Sequence, residues 1–224
     1  MVYWLGAKNL PACLPFLNRL VYYEIMPADT KLTLLRAGRA ILAQQGYHHT
    51  GIQEVLARAG VPKGSFYHFF VSKREFCLQI LEQEAIAQRH QLRKYLADRT
   101  LSPIERLRHY FQGKCDSFAN EGYREGCLLA NLGQELADQD EGFRLRVEQF
   151  FADWQKDLAS CLAEAQALGE IATDVAIDQL AEYLLVSWQG AILRMKTAKH
   201  TAPLQAFMMC TFDRLLTANS SKES

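Results

Sequence analysis

The sequence predicts an all-α protein with a small N-terminal helical head and a larger C-terminal helical body. Three observations predict it. Apolar residues recur at helical spacing from Thr30 onward. No segment alternates apolar and polar residues as a half-buried strand does, and no Asn-Gly or Asp-Gly pair marks a hairpin. Helix start and stop signals (Gly46, Gly60, Pro62, Ser72, Pro103) fall at intervals of helix length.

The elements follow in order. A first helix is expected over residues 29–45, with Leu32, Leu35, Ala40, Ile41 and Leu42 near one face and Gly46 as its stop. A short second helix is expected over residues 50–60. Thr50 and Gln53 fit a capping box, in which each side chain satisfies the other's free backbone N–H. Ile52, Val55, Leu56 and Ala59 then form its apolar stripe. Gly60 permits a sharp turn that a Cβ would resist. Pro62 suits the first turn of a third helix carrying Lys63, Gly64, Ser65, Phe66, Tyr67, His68 and Phe69, with Phe66, Phe69 and Phe70 as core. A fourth helix spans residues 72–97, with Ser72 and Glu75 as a second capping box. After a break at residues 100–103 come helices over residues 103–120, 127–137, 141–168, 175–199 and 203–217. The polar end, residues 218–224, is expected to fray.

The chain has 224 residues and is 49% hydrophobic, enough to bury a core. Its 25 basic and 25 acidic residues balance, which argues against a disordered chain. The balance is uneven along the chain. Residues 29–76 hold seven basic side chains (Lys31, Arg36, Arg39, Arg58, Lys63, Lys73, Arg74) against three acidic ones, a net +4, so the rest carries −4. A basic head on an acidic body is a pattern of nucleic-acid binders with a separate second domain. The six cysteines (Cys13, Cys77, Cys115, Cys127, Cys161, Cys210) form no CxxC pair and stand too far apart for a disulfide scaffold. They are expected as reduced thiols in a cytoplasmic protein with no metal site and no cofactor. No apolar run reaches the roughly 18–20 residues of a membrane span. Residues 1–26 are apolar and aromatic but lack the layout of a signal peptide. They read either as an ordered extra segment or as a start-site artefact, with translation beginning at Met26. The expected organisation is thus an extension (residues 1–26), a DNA-binding head (27–75) and an effector-binding, dimerising body (76–218).

Short helix, glycine turn, short helix is the helix-turn-helix arrangement, whose second helix enters the major groove. The chemistry of the third helix suits that role. Lys63 supplies charge to phosphates, and Gly64 lets the backbone approach closely. Ser65, Tyr67 and His68 carry hydrogen-bonding groups for phosphates or base edges. Ser72 and Lys73 open the next helix, whose N-terminal N–H groups also suit a phosphate.

The stretch from Ile52 to Lys73, centred on Ala57-Arg58-Ala59-Gly60-Val61-Pro62-Lys63-Gly64-Ser65-Phe66-Tyr67-His68-Phe69, resembles the signature of the TetR family of bacterial repressors. The Ala40 to Gly46 segment leading to Thr50 resembles it too. Leu56-Ala57 stands where the family often has Ile-Ala. The resemblance implies homodimers that bind palindromic operators in double-stranded DNA and release them when a small-molecule effector binds. It also implies Thr50, Lys63, Gly64, Ser65, Tyr67, His68 and Lys73 as the DNA contacts.

In the family the last two major helices pair with their symmetry mates. Phe150, Phe151, Trp154, Leu158 and Leu162, with Leu180, Leu184, Ser187 and Ala191, are therefore expected at such a seam, against intramolecular core as the alternative. Cys127 is expected in the first turn of its helix, where the helix N-terminus lowers a thiol's pKa. The other reading is a small buried hydrophobe. Gly126-Cys127-Leu128 resembles the sensor segment of the family's subgroup that responds to N-ethylmaleimide and other electrophiles, which also implies a nearby lysine, here Lys196. Related regulators with the same pattern sense reversible ligands such as small carboxylic acids. Trp188, with Tyr183, Tyr110, Phe111 and Arg194, is a candidate for lining the effector pocket. An enzyme with Cys127 or Cys115 as nucleophile is disfavoured, because no histidine lies in a catalytic motif and no phosphate loop or nucleophile elbow appears. A helical interaction module without DNA binding is disfavoured by the intact Lys63, Gly64, Tyr67 and Lys73.

Overall fold

The computed structural model describes residues 28–216. The expectations for residues 1–26, for Cys13 and for residues 218–224 lie outside them. The described residues form nine α-helices and no strand. The first four are α1 (Ala28–His49), α2 (Ile52–Ala59), α3 (Phe66–Phe69, entered through a 3-10 turn Lys63–Ser65) and α4 (Lys73–Leu96). The others are α5 (Pro103–Asn120), α6 (Leu128–Leu136), α7 (Glu141–Ala167), α8 (Ile177–Ala198) and α9 (Ala202–Cys210), which ends in a π turn, Thr211–Leu215. None is long and apolar enough to cross a membrane.

The head closes over one apolar core. Leu34, Leu35, Ile41 and Leu42 of α1 meet Val55 and Leu56 of α2 and a trio of rings, all buried. Phe66, Phe70 and Phe76 lie 4.8–5.3 Å apart between centroids, in tilted and edge-on geometries that aromatic pairs favour. Leu32, expected on the buried face, is instead 40% exposed, and Leu34 takes the core position.

Gly46 does not end α1. It breaks it: the residue sits at φ 76°, ψ −176°, and the chain regains helical geometry up to His49. Thr50 then precedes α2 rather than capping it. Gly51 is the N-cap, and no side-chain cap bond forms there. Thr50 is buried, and its hydroxyl donates to the Gly46 carbonyl at 2.6 Å, so the expected capping box with Gln53 is absent. Gly60 at φ 66° ends α2 in the left-handed conformation that a Cβ disfavours. Its N–H and that of Val61 reach the Ala57 and Leu56 carbonyls, the paired bonds of a Schellman ending. Ser72 caps α4 by accepting from the Glu75 N–H, while Glu75 reaches one residue further than expected, to the Val71 N–H.

In the body, α5 begins with a full capping box between Ser102 and Glu105. Asp140 caps α7 by accepting from the Gly142 and Phe143 N–H groups. Helix α7 packs along α8, and α9 closes on α8 and α5. The proposed seam residues are mostly internal. Phe150, Trp154, Leu158, Leu162, Leu180, Leu184 and Ala191 are all buried within the single chain. Their faces of α7 and α8 pack against each other, which is the alternative the sequence left open. The apolar side chains that α8 leaves outside are Tyr183, Val186 and Leu193, spaced three and seven residues apart on one helical face.

Helix α4 joins the two halves, touching α1 on the head side and α5, α6 and α7 on the body side.

Candidate functional site

The Schellman turn at Gly60 and the extended Pro62 (ψ 149°) set the direction in which the chain re-enters a helix. The element that follows is short: one 3-10 turn and one α turn. Phe66 and Phe70 pin its inner side in the core, which leaves Lys63, Gly64, Tyr67 and His68 outside. Tyr67 is 61% exposed, and His68 stands edge-on to Phe69 with 4.9 Å between ring centroids. A short helix presented in this way is the kind of element a major groove admits. Ser65 and Thr50 are buried, so of the seven expected DNA contacts these two have no exposed side chain in this conformation. Lys73 is half-buried at the start of α4. Its Nζ lies 4.4 Å over the Tyr47 ring and 3.4 Å from the His48 carbonyl oxygen.

The head's positive excess is not all available to DNA. Arg39 and Arg74 point back into the body. Arg74 pairs with Asp140 through two hydrogen bonds, Nε–Oδ2 at 2.5 Å and Nη2–Oδ1 at 2.7 Å. That guanidinium holds the Asp140 carboxyl well below its ordinary value, at about 2. Arg39 donates to Glu84 of α4 at 2.8 Å and to Glu125 before α6 at 3.3 Å. Burial opposes its charge, and the two carboxylates more than offset that, so its pKa is raised.

Glu135, on the last turn of α6, completes the junction. Its carboxylate accepts from the Tyr47 N–H at 2.8 Å and the His48 N–H at 2.7 Å. These are donors freed by the break at Gly46.

The other end of α6 carries Cys127, which is its N-cap rather than a residue of its first turn. The thiol is half-buried at the wall shared by two chambers. The larger, of about 320 Å³, is lined by Cys127, Trp188 and Trp154 together with Arg39, Glu84 and Lys114. The smaller, of about 220 Å³, is lined by Cys127, Gln189, Lys196 and Leu193 among others. Lys196 and Trp188 are thus both brought to Cys127, in different chambers. Trp188 is fully buried between Phe111 and Phe207, with ring centroids 5.0 and 5.1 Å away. Of the other pocket candidates, Tyr183 and Arg194 face outward, Phe111 is core, and Tyr110 lines a separate pocket between α4 and α7.

The lowered thiol pKa expected for Cys127 is not found. Burial pushes it up, and this outweighs the Ala130 and Leu129 N–H groups and the Gln189 amide, which pull it down. A helix N-terminus supplies about half a unit charge, too little against the loss of water around a thiolate. The same holds for Cys77, raised to about 12, and for Cys115 and Cys161, each raised to about 11. Cys210 is exposed. Lys114, half-buried in the larger chamber, is held by the Gln88 carbonyl oxygen. Burial lowers its pKa, in part against the attraction of Cys127, Glu84 and Glu121. Among the described residues no group of three His, Cys, Asp or Glu could hold a metal ion.

Arg39 and Lys114 line the larger chamber and Glu135 holds the end of α1, three placements that sequence reasoning missed. A signal exists for each. Arg39 falls four residues after Leu35 and three before Leu42, within the buried stripe of α1. Lys114 falls four after Tyr110 and three after Phe111, and Glu135 falls three after Leu132. A charged residue in register with an apolar stripe is a candidate for a buried contact.

Residues 34–80 match a family model described as bacterial regulatory proteins, tetR family. Residues 103–210 match one described as tetracyclin repressor-like, C-terminal domain. The transcriptional regulator AcuR of Cereibacter sphaeroides is 39% identical over 81% of this chain and 83% of its own length. The HTH-type transcriptional repressor DhaR of Mycobacterium sp. strain GP1 is 36% identical over 85% of this chain and 96% of its own. The crystal structure of Escherichia coli NemR in its reduced form is 29% identical, with a TM-score of 0.77 over 83% of this chain and 96% of that one.

Proposed function

This chain belongs to the TetR family of bacterial regulatory proteins, and we propose from that premise that it is a homodimeric repressor which releases its operator when an effector occupies the cavity around Cys127. Residues 27–75 are the DNA-binding head and residues 76–218 the effector-binding and dimerising body. Residues 1–26 are an extension with no assigned role. Lys63, Gly64, Tyr67, His68 and Lys73 touch the DNA. Ser65 and Thr50 support that surface from beneath. The protein works in the cytoplasm, without catalysis and without a cofactor.

The observation that carries this reading is Arg39. It belongs to the first helix of the head, yet it lines the same cavity as Cys127 and Trp188. Whatever fills that cavity meets a side chain anchored in the DNA-binding unit. A ligand that favours one arrangement of the Arg39–Glu84–Glu125 cluster shifts the head by its difference in affinity for the two. The relatives DhaR and NemR are named as repressors, which supports repression here. Dimerisation rests on need and on surface. A lone reading helix gives little specificity, and Tyr183, Val186 and Leu193 offer an outward apolar stripe on α8.

Two ways of sensing share this cavity. A reactive electrophile would alkylate Cys127, and a reversible ligand would seat beside it. The raised thiol pKa favours the reversible ligand. Fluorescence anisotropy of a labelled operator separates them. The exposed Cys210 is first changed to serine, so that among the described residues only the half-buried Cys127 and three buried thiols remain. Release by N-ethylmaleimide that disappears in Cys127→Ala supports the covalent route. Release that persists in Cys127→Ala, with the adduct mapped to another cysteine, removes Cys127 as the sensor.

A further inference from the structure

A lysine is seldom taken out of water without a carboxylate beside it, because an unpaired buried charge is costly. Lys114 departs from that pattern. It is half-buried on α5 and lines the larger chamber together with Cys127. Among the described residues it forms no ion pair. Its Nζ donates to the side-chain oxygen of Gln88, an uncharged partner, and lies 5.9 Å from the centre of the Tyr110 ring. The carboxylates that line the chamber are engaged elsewhere. Glu84 and Glu125 hold Arg39, and Glu121 accepts from the Ser117 hydroxyl.

On balance this place favours the neutral amine over the ammonium. Burial lowers the pKa, the charge of Arg39 adds to that, and the attraction of Cys127, Glu84 and Glu121 does not restore it. A neutral lysine amine is a nucleophile, and its characteristic partner is a carbonyl carbon. The chamber leaves room beside it, about 320 Å³, with Trp154, Trp188 and Phe118 as apolar walls. The amine also ends a chain of hydrogen bonds. Lys114 donates to Gln88, the Gln88 amide donates to Glu84 at 3.0 Å, and Glu84 accepts at 2.8 Å from Arg39 in the first helix of the head.

We propose that Lys114 captures a small aldehyde as an imine within this chamber. The amine nitrogen bonds to the carbonyl carbon and the carbon–oxygen bond breaks. The oxygen leaves as water, taking both protons of the neutral amine. No oxidant or reductant takes part. The neutral imine nitrogen has no proton left to donate to Gln88, so the chain to Arg39 loses its first bond. Capture stands on the chamber alone, and its effect on DNA rests on the reading of this cavity as the effector site.

The probe is propanal, with cyanoborohydride present to reduce each imine to a stable propyl amine. The full chain is exposed briefly at pH 7, and the modified lysines are mapped by peptide mass spectrometry. Lys114 is expected to be labelled about ten-fold faster than the exposed Lys94 and Lys156. In the chain unfolded by guanidinium that lead should vanish, because it comes from the folded surroundings. The proposal is overturned if Lys114 in the folded chain is labelled no faster than Lys94 and Lys156, or if its lead survives unfolding. No variant is involved, so a failure to fold cannot imitate either result. Selective labelling of Lys114 that leaves the operator complex intact would keep the capture site and sink the assignment of the cavity as the switch.

Discussion

Gly46 and Glu135 stand in contact across the junction of head and body: a Cβ on Gly46 would fall 2.5 Å from Glu135 Oε2. The closeness exists because Glu135 holds the two N–H groups that the break in α1 exposes. Gly46 is therefore required twice over, by its φ of 76° and by the space its missing side chain leaves. Gly46→Ala is expected to cost about 1–3 kcal/mol from the backbone alone, because positive φ with extended ψ is a conformation essentially only glycine adopts, plus the displacement of Glu135. Glu135→Ala is expected to leave Gly46 in place and to raise amide hydrogen exchange at Tyr47 and His48. Exchange rates at these two amides that match wild type would show that Glu135 does not hold the break.

The Arg74–Asp140 pair makes the attachment of the head acid-labile. The Asp140 carboxyl titrates at about 2 in the folded chain, against an ordinary value of 3.8. Its contribution to stability is therefore fully present above about pH 4 and is lost as the pH falls toward 2. Asp140→Asn keeps an oxygen for the Gly142 and Phe143 N–H groups and removes the charge. The variant is expected to melt below wild type at pH 7 and to converge with it near pH 2. A constant gap across that range would mean that the charge is not what the pair contributes.

Cys127 should behave as a shielded thiol. Its raised pKa leaves less thiolate at neutral pH than an ordinary cysteine has. Peptide-level mass spectrometry of N-ethylmaleimide labelling is expected to show Cys210 reacting first at pH 7. The rate at Cys127 should keep rising with pH beyond 9, the ordinary value for a thiol. A plateau below pH 9, or a faster reaction than at Cys210, would contradict the burial argument and restore the covalent sensor.

Much of the head was legible because its signals are local. Gly60, the Ser72 cap, Phe66 and Phe70 each act on neighbours within a few residues, and the structure places them in those roles; Pro62 instead stands in extended geometry just before the Lys63–Ser65 turn, and Phe69 is half-buried. Thr50 was misread because its hydroxyl had two acceptable uses. The backbone break at Gly46 gave it a carbonyl closer than the N–H groups of α2. The body was legible as helices and not as contacts. A stripe such as Phe150, Trp154 and Leu158 states that a face is buried, but not whether the partner belongs to the same chain. Cys127 shows the same limit in electrostatics. Its place at a helix N-terminus is written in the sequence, whereas the burial that reverses its pKa shift is set by packing against other helices, α8 among them, about 50 residues or more along the chain.

The central claim is that the surface built by the Lys63–Ser65 turn and α3 reads DNA. The most direct test is operator affinity by fluorescence anisotropy across a salt series, using DNA recovered from a random-sequence selection. The account predicts tight binding that weakens steeply with salt. Lys63→Ala should lower affinity on all sequences alike and reduce the salt slope by about one. Tyr67→Ala should also bind more weakly with the fold intact. Failure of the selection to recover any bound DNA, or wild-type affinity and salt slope in both variants, would contradict the claim.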